Sequence, residues 1–438
     1  MRWLLVILLL IMGIDKTAAQ ELGYRGSLKN EASYRKLSNK SLLNPNNEIL
    51  DLERGYNFTS FNLFCDADWK NKIKGHLNLH AFYDTQEGDS IRDVKVNINE
   101  LFFNFFLGER LELDLGKEII KWGTGYAWNP TAVISPLKNS QDAQDRLERL
   151  SGLEMVKLNL FLGGFTITGV ALPELDFPRE QAYLPRWKST EWAGKIYRLI
   201  KDVDLSLVVF GSKDSKTVVG MNFSRVLGNN LELHGEMASK EGSENFYLEK
   251  KSEEYTVNGK LVPRVYEYSQ SRKDERKIYS QYVLGSQYTF QNGINLALEY
   301  FHNDEGYNNR QWSEIIEFLK YSNQALNDDQ YTLENGENMG NIYLSGANGY
   351  LNSLTGVRRN YLFLRGYIPG IFRQSNLEII LLNSLDDGSS VIIPTLSYEP
   401  LGYLSLYLLT NIFLGDGESE FGILYENYTV NLGVKLFF

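Results

Sequence analysis

Two histidines and a lysine are spaced along one short segment in a way that could bind an ion. His76 and His80 stand four residues apart in IKGHLNLHAFYD, where polar and apolar residues alternate as in a β-strand, and Lys74 shares their polar face. On a strand, four residues span roughly 13 Å. Zinc–nitrogen bonds are only ~2.0–2.1 Å long. The two histidines alone therefore cannot share an ion, and we predict pore-lining or packing histidines here, with no metal and no cofactor.

A second polar face is acidic. Glu232, His234 and Glu236 occupy alternate positions in LELHGEMA, so they lie on one side of a strand, with neighbours about 6.6 Å apart. Glu299 adds a carboxylate to the polar face of INLALEYF. Such a wall could attract cations or hydrogen-bond a carbohydrate. The alternative is a solvated face whose charges pair with Lys or Arg on adjacent strands.

The segment from Trp122 to residue 150 carries the densest set of candidate residues. Glycines and prolines in GKEIIKWGTGYAWNPTAVISP prevent a regular strand. Its aromatic residues favour a loop that folds inward and narrows a pore, with candidate residues Trp122, Tyr126, Trp128, Asn129, Arg146 and Arg149. The two arginines would face carboxylates across the constriction. The alternative is a surface loop whose ion pairs on a helical turn contribute ~0.2–0.5 kcal/mol each.

The elements that position these residues are strands. Alternating segments cover most of the chain, and short turns largely alternate with long polar connections. That asymmetry is typical of outer-membrane barrels. The sequence therefore predicts an all-β fold, a closed antiparallel transmembrane β-barrel of about 18 strands (16–18), with short periplasmic turns and long extracellular loops. The first strand is expected near 22–35 and the last near 421–438.

The last strand, YTVNLGVKLFF, indicates how the sheet closes. Backbone groups cannot stay unpaired in hydrocarbon, so the first strand must pair with the last. Alternation predicts lipid-facing Val430, Leu432, Val434 and Leu436, and lumen-facing Thr429, Asn431 and Lys435. Aromatic residues near strand ends fit girdles at the membrane boundaries or are ordinary strand aromatics: Trp69, Tyr83, Tyr300, Tyr428 and Phe438.

The N-terminus and the charge of the chain limit its location and partners. Residues 1–19 combine Arg2, an apolar run and small residues before position 20, which is typical of a secretory signal peptide; an uncleaved anchor helix is the alternative. Residues 20–438 are then expected to form a single barrel domain. The net charge of −10 argues against nucleic acid as a partner. A single cysteine excludes an internal disulfide.

One stretch within the long connection 305–355 has helical periodicity. In NRQWSEIIEFLKYSNQA, apolar residues recur at helical spacing: Trp312, Ile315, Ile316 and Leu319. We expect a short amphipathic helix that packs on the barrel mouth or enters it. A loop helix without any gating role is the alternative.

LGKEIIKWGTGYAWNP resembles an element of porin-like outer-membrane barrels from Gram-negative bacteria, and LEYFHNDEGY and LNSLDDGSSVIIPTLSY resemble segments of the same group. Phe438 looks like the C-terminal aromatic signature that the insertion machinery of these bacteria reads. The resemblance implies the cell outer membrane as location, and its lipid and the barrel-assembly machinery as partners. It does not select a substrate.

Together these features predict a channel for diffusion or facilitated transport of hydrophilic solutes. The alternatives are a barrel for polysaccharide export or docking, a membrane-embedded hydrolase, and a soluble secreted β protein. No G-x-S-x-G, H-E-x-x-H or P-loop motif occurs, so we expect no enzyme activity. The sequence leaves open whether the partner is a small solute or a saccharide, and whether the barrel is a homo-oligomer.

Overall fold

The computed structural model describes residues 21–69, 72–85, 94–135, 150–176, 186–213, 216–243, 245–250, 255–257, 260–262, 266–270, 276–333, 336–351 and 356–438. Its main sheet has 18 strands. They are β1 (Glu21–Leu37), β2 (Gly55–Trp69), β3 (Ile73–Asp84), β4 (Lys95–Phe106), β5 (Leu111–Glu118), β6 (Leu153–Leu162), β7 (Phe165–Asp176), β8 (Arg186–Ile200), β9 (Val203–Gly211), β10 (Val218–Leu227), β11 (Leu231–Glu241), β16 (Ile278–Thr289), β17 (Asn295–Asn303), β18 (Asn360–Phe372), β19 (Ser375–Ser384), β20 (Ser390–Leu401), β21 (Leu404–Leu414) and β22 (Glu426–Phe437).

The remaining strands and both α-helices lie in two of the long connections, and a 3-10 helix (Pro45–Asn47) lies between β1 and β2. β12 (Phe246–Lys250) pairs with β15 (Tyr266–Gln270), and β13 (Tyr255–Val257) pairs with β14 (Lys260–Val262), between β11 and β16. Two helices lie between β17 and β18. They are α1 (Asn309–Leu326) and α2 (Met339–Leu351). Among the described residues, no helix is long and apolar enough to cross a membrane.

The sheet closes on itself. Each strand pairs antiparallel with its neighbour along the chain, and β1 also pairs with β22, in register from Ser27 opposite Phe437 to Lys36 opposite Tyr428. Closure leaves the sheet with no free edge. The predicted closed antiparallel barrel of about 18 strands is therefore confirmed.

The two faces of the wall differ in composition as the alternation predicts. On β22, Leu432, Val434 and Leu436 are 60%, 43% and 39% exposed, whereas Thr429 and Asn431 are 2% and 7% exposed. Apolar side chains that are more exposed than their polar neighbours are the reverse of a soluble protein. This reversal identifies the outer face as the one that suits lipid, and the inner face as the polar one.

The helices follow from local sequence signals. The side chain of Asn308 accepts a hydrogen bond from the backbone N–H of Gln311 (2.9 Å), and the Gln311 side chain accepts one from the N–H of Asn308 (3.0 Å), which together form a capping box at the start of α1. The prediction of a single short helix was incomplete. The segment contains two helices, α1 with 18 residues and α2 with 13 residues. Leu344, Ala347 and Leu351 form the buried face of α2.

The seam between β1 and β22 ends at a glycine. The N–H of Gly26 donates to the carbonyl of Phe438 (2.9 Å), and the N–H of Phe438 donates to the carbonyl of Gly26 (3.1 Å). The Phe438 ring stacks near Phe61, with ring centroids 6.0 Å apart. A Cβ on Gly26 would lie 2.4 Å from that ring and 2.6 Å from the carbonyl oxygen of Asn62. The absent side chain at position 26 thus makes room for the terminal aromatic ring.

We expect Gly26→Val to destabilise the seam. The added side chain would collide with the Phe438 ring and with backbone, and overpacking of this kind costs about 1–3 kcal/mol. The measurement is the urea midpoint of the protein in detergent or vesicles, read as the heat-dependent mobility of the folded barrel on gels.

Gly23→Val is the matched control, because it lies on the same strand and its Cβ would meet nothing within 4 Å. Equal urea midpoints for the two variants would show that the space at Gly26 is not needed.

Candidate functional site

Residues 119–135, which we call the inward loop, follow β5 and lie inside the barrel. At one side, Trp122 is 7% exposed and packs with Ile120 and Ile134. Their neighbours are inner-face residues of β6 to β9, namely Met155, Val170, Leu172, Ala193 and Val208. Of the predicted inward segment 122–150, the structure describes residues 122–135 and 150.

The other side of the inward loop reaches a different part of the wall. Trp128 is 8% exposed and stacks on Phe301 of β17, with ring centroids 4.8 Å apart and an interplanar angle of 11°. It also lies near Tyr361 and Phe363 of β18, at 5.8 Å and 6.2 Å. Because Trp122 contacts β6–β9 and Trp128 contacts β17 and β18, the inward loop extends from one region of the inner wall to another.

Glu236, on the inner face of β11, contacts the middle of the inward loop. It accepts hydrogen bonds from the backbone N–H groups of Thr124, Gly125 (2.5 Å) and Thr131 (3.1 Å). The hydroxyl of Thr131 (2.7 Å) and the side-chain amide of Asn129 (2.9 Å) also donate to it. Glu236 itself is 3% exposed. The hydroxyl of Thr124 donates as well, at 3.4 Å, so six donor groups of one loop surround this buried carboxylate.

Glu299, on β17, contacts the next residues of the inward loop. Its side chain is fully buried and accepts hydrogen bonds from the backbone N–H groups of Tyr126 and Ala127, the latter at 2.8 Å. Nε2 of His234 lies 2.8 Å from the same carboxylate, and Nδ1 of His234 is 3.8 Å from Glu232. The predicted acidic face of β11 is thus joined to Glu299 through His234, and Glu236 of β11 and Glu299 of β17 both hydrogen-bond the loop.

Two glycines allow this close approach. Gly123 has a φ of +96°, and a Cβ on it would lie 2.9 Å from both carboxylate oxygens of Glu236. A Cβ on Gly125 would lie 2.0 Å from the carbonyl oxygen of Trp128. The W-G-x-G pattern therefore does more than interrupt a strand, because it lets the loop backbone wrap a carboxylate.

Tyr126 projects toward a charged pair on the wall. Its hydroxyl lies 3.5 Å from Glu378, which forms an ion pair with Arg365. The Arg365 guanidinium carbon is 5.0 Å from the centroid of the Tyr126 ring, within the range of a cation–π contact. Arg365 also donates to the side chain of Asn295 (3.0 Å).

The candidate residues on β3 lie apart from this network. Nδ1 of His76 is 2.6 Å from Asp66, and Nδ1 of His80 is 2.7 Å from Asn62. Lys74 is exposed, and its ammonium group lies 3.8 Å from the carboxylate of Asp68, which is also on β2. Within the described ranges, no three His, Cys, Asp or Glu side chains are grouped so that they could hold a metal ion.

Three basic residues remain to be placed: two that the sequence predicted and one that it did not. Arg146 and Arg149 lie outside the described residues, so their place at a constriction stays a prediction. Lys195, on the inner face of β8, was missed, although the alternation in EWAGKIYRL places it there. Its ammonium group lies 5.9 Å from the centroid of the Trp122 ring.

The helical segment (residues 305–333 and 336–351) packs inside the barrel against β17 to β21. Ile315, Phe318 and Leu319 of α1 and Leu344 and Leu351 of α2 are at most 2% exposed. They belong to one apolar cluster with Trp128 and with inner-face residues of the wall, including Phe363, Ile380, Leu382, Val391 and Ile393. The inner wall is therefore apolar where the helices cover it, which strand alternation did not predict.

Buried charges fasten this helical segment to neighbouring connections. Arg358 is 1% exposed and forms an ion pair with Asp387 at 3.1 Å. Its other donors reach the carbonyl of Tyr307 (3.1 Å) and the side chain of Asn309 (2.5 Å), and its guanidinium lies 4.9 Å from the Trp312 ring centroid. One arginine therefore joins the start of α1 to the connection after β19.

Glu420, in the connection between β21 and β22, belongs to the same group of buried charges as Arg358 and Asp387. Its carboxylate accepts hydrogen bonds from the Tyr361 hydroxyl (2.7 and 2.8 Å) and from the N–H of Val357 (2.9 Å), while its own N–H donates to Asp387 (2.9 Å). Complete burial raises the pKa of Glu420 from 4.5 to about 7, helped by the nearby negative charge of Asp387 and opposed by its hydrogen bonds and by Arg358.

The closed sheet of 18 strands, its apolar outer face and its occupied polar interior define a porin-like outer-membrane β-barrel fold. No protein-family model matches the sequence, and no curated protein matches it.

Solved structures do match the fold. The chain is similar to OccAB1 of Acinetobacter baumannii, with a TM-score of 0.54, 10% identity, and 97% of this chain and 98% of that one covered. It is also similar to OccK11 (OpdR) of Pseudomonas aeruginosa, with a TM-score of 0.53, 12% identity and 96% of each chain covered. OccK8 (OprE) of the same organism gives a TM-score of 0.53, 11% identity, and coverage of 96% and 98%. These likenesses concern the fold, and they agree with the predicted porin-like barrel.

We expect the helical segment to loosen at alkaline pH. The folded-state pKa of Glu420, about 7, lies above its ordinary value of 4.5. The stabilisation by the protonated carboxyl is therefore complete below about pH 4.5 and is lost as pH rises through about 7. At most it is on the order of 3 kcal/mol, from ~1.4 kcal/mol per pKa unit. Limited proteolysis of residues 305–351 should be faster at pH 8.5 than at pH 5.5.

Glu420→Gln should remove this pH dependence, because the amide stays neutral. Glu418→Gln is the control, since Glu418 lies in the same connection with a side chain 60% exposed. Proteolysis rates that vary with pH equally in all three proteins would refute the role of Glu420.

Proposed function

We propose that this protein is an outer-membrane channel for hydrophilic solutes, working by diffusion or facilitated transport. The inward loop carries the proposal, because Trp122 and Trp128 attach it to different regions of the inner wall and it lies across the interior between them. A loop in that position limits the free cross-section, and pore diameter and lining groups decide which solutes pass.

The channel needs no bond-breaking chemistry. Polar inner-face groups replace part of the hydration of a passing solute, while the apolar outer face stays in lipid. Lys195 beside Trp122, and the Arg365–Glu378 pair beside Tyr126, place charge next to the inward loop. We infer that these groups, with Arg146 and Arg149, set the preference for charged solutes.

Location and assembly follow from the same reading. An apolar outer face on a closed barrel suits a bilayer, and residues 1–19 would direct export. The Phe438 backbone is fully paired with Gly26 and its ring lies on the outer face near Phe61. We infer insertion into the outer membrane by the barrel-assembly machinery, with this terminal aromatic as the recognised residue.

We expect the purified protein to form channels in planar bilayers and to make liposomes swell in small sugars but not in large ones. Replacing residues 123–131 by a short Gly–Ser linker should raise single-channel conductance about twofold or more and admit larger sugars, because the aperture widens.

A Gly–Ser replacement of residues 107–110 is the control, since the residues of this turn between β4 and β5 are all exposed and lie away from the inward loop. A folded wild-type barrel that carries no current would contradict the channel. Saturable block by oligosaccharides would favour polysaccharide export or docking instead.

A further inference from the structure

We propose that Glu236 and Glu299 are positioning residues: they hold the inward loop in place, and their contacts with its backbone set the aperture of the channel. This inference rests on the proposed function, because an aperture has a role only if the barrel is a channel. It assigns these two carboxylates a role different from cation attraction, which the sequence had suggested for the acidic face.

Burial is the first step in the argument. Glu236 is 3% exposed and Glu299 is fully buried, whereas Glu232, two positions before His234 on the same inner face, has a side chain that is 37% exposed. A buried carboxylate is costly unless donors replace its lost hydration. Only Glu232 of the three therefore presents its charge to a passing cation.

The identity of the donors is the second step. The hydrogen bonds to Glu236 come from the inward loop. Three come from backbone N–H groups, two from the hydroxyls of Thr124 and Thr131, and one from the side-chain amide of Asn129. Two of the three to Glu299 come from the loop backbone. Hydrogen bonds to charged groups are stronger than those between neutral groups, and a buried charged group left without partners is strongly destabilising.

This makes the attachment mutual. The loop cannot leave the wall without stripping both carboxylates of donors and removing the acceptors of its own N–H groups. Gly123 lies directly against the Glu236 carboxylate, and Gly125 lies against the Trp128 carbonyl of the same loop, so neither has room for a Cβ. Asn222 of β10 adds one more bond, from its side chain to the hydroxyl of Thr131 (2.9 Å). The loop is thus held at specific points and not by apolar packing alone.

The glutamate-to-glutamine double variant, Glu236→Gln/Glu299→Gln, tests the inference. Each amide keeps one acceptor oxygen but presents an NH₂ group to N–H donors, so the loop should detach. Two readouts are used: single-channel conductance, and the rate at which a thiol reagent modifies Ala127→Cys in a Cys65→Ser background. Ala127 is 6% exposed, so its cysteine should react slowly in the parent.

In the double variant, thiol modification should become at least about tenfold faster, as expected when a buried site opens by ~1.4 kcal/mol or more. Conductance should rise about twofold or become noisy between two levels. Glu232→Gln, on the same strand and inner face, is the matched control and should change neither readout. A purely structural role would lower the urea midpoint while leaving both readouts of the folded barrel unchanged.

The outcomes separate the two proposals. Unchanged thiol modification in a folded double variant overturns the positioning role, whatever the conductance. Faster modification in the double variant, together with a wild-type barrel that carries no current, supports the positioning role and contradicts the channel. If the double variant does not fold, Glu236→Asp replaces it, because aspartate keeps the charge but withdraws it by one methylene. Unchanged modification and conductance in that variant overturn the inference equally.

Discussion

Closure of the sheet is the constraint on which the rest of this structure depends. A strand edge in hydrocarbon leaves a row of backbone N–H and C=O groups unpaired, at several kcal/mol each. Here β1 pairs with β22 along its length, and the last backbone bonds join Gly26 to Phe438. Closure gives the sheet an inner and an outer face. The alternation of each strand then decides which side chains face the interior and which face lipid. The exposed leucines of β22 and its buried threonine and asparagine are two sides of that one condition.

A barrel of 18 strands creates a second problem, because its interior is too wide for wall side chains to fill. This chain folds two of its connections inward. The inward loop packs Trp122 on β6–β9, and the helical segment packs on β17–β21 with Trp128 in the same cluster. Each has its own apolar core inside the barrel, so the interior is divided by packed structure. In the proposed channel, we expect selectivity to depend on how firmly those segments are held.

The holding contacts share one chemical solution, a buried carboxylate that accepts hydrogen bonds from backbone N–H groups. Glu236 and Glu299 accept them from the inward loop, and Glu420 accepts one from Val357 beside the helical segment. They differ in electrostatics. Burial, helped by the charge of Asp387, raises the pKa of Glu420 to about 7, so we expect the attachment of the helical segment to weaken as pH rises through the neutral range. The inward loop is thus held through neutral N–H and hydroxyl donors, whereas the attachment of the helical segment includes Glu420, whose pKa is about 7.

Local pattern alone predicted much of this fold. Period-two alternation gave the strands, their approximate number and their lipid-facing side, and helical spacing in NRQWSEIIEFLKYSNQA indicated α1, since both signals need only neighbours in sequence. The composition around Trp122 indicated an inward loop. The second helix was missed because MGNIYLSGANGYL is rich in glycine and weakly amphipathic. The apolar inner wall was missed because strands such as NLEIILL are apolar on both faces, so that alternation does not show which face a helix covers.

By itself, then, the sequence determined that the chain is a closed β-barrel with a polar inner face and a distinctive loop after Trp122. The tertiary structure decided what the inner residues do. Glu236, Glu299 and Glu232 look equivalent in an alternating strand, yet two are sealed under the inward loop and one is exposed. Arg358, Asp387 and Glu420 carry no local pattern at all. The reason is physical: alternation records only which face a side chain occupies, whereas burial and hydrogen-bond partners depend on distant segments that closure brings together.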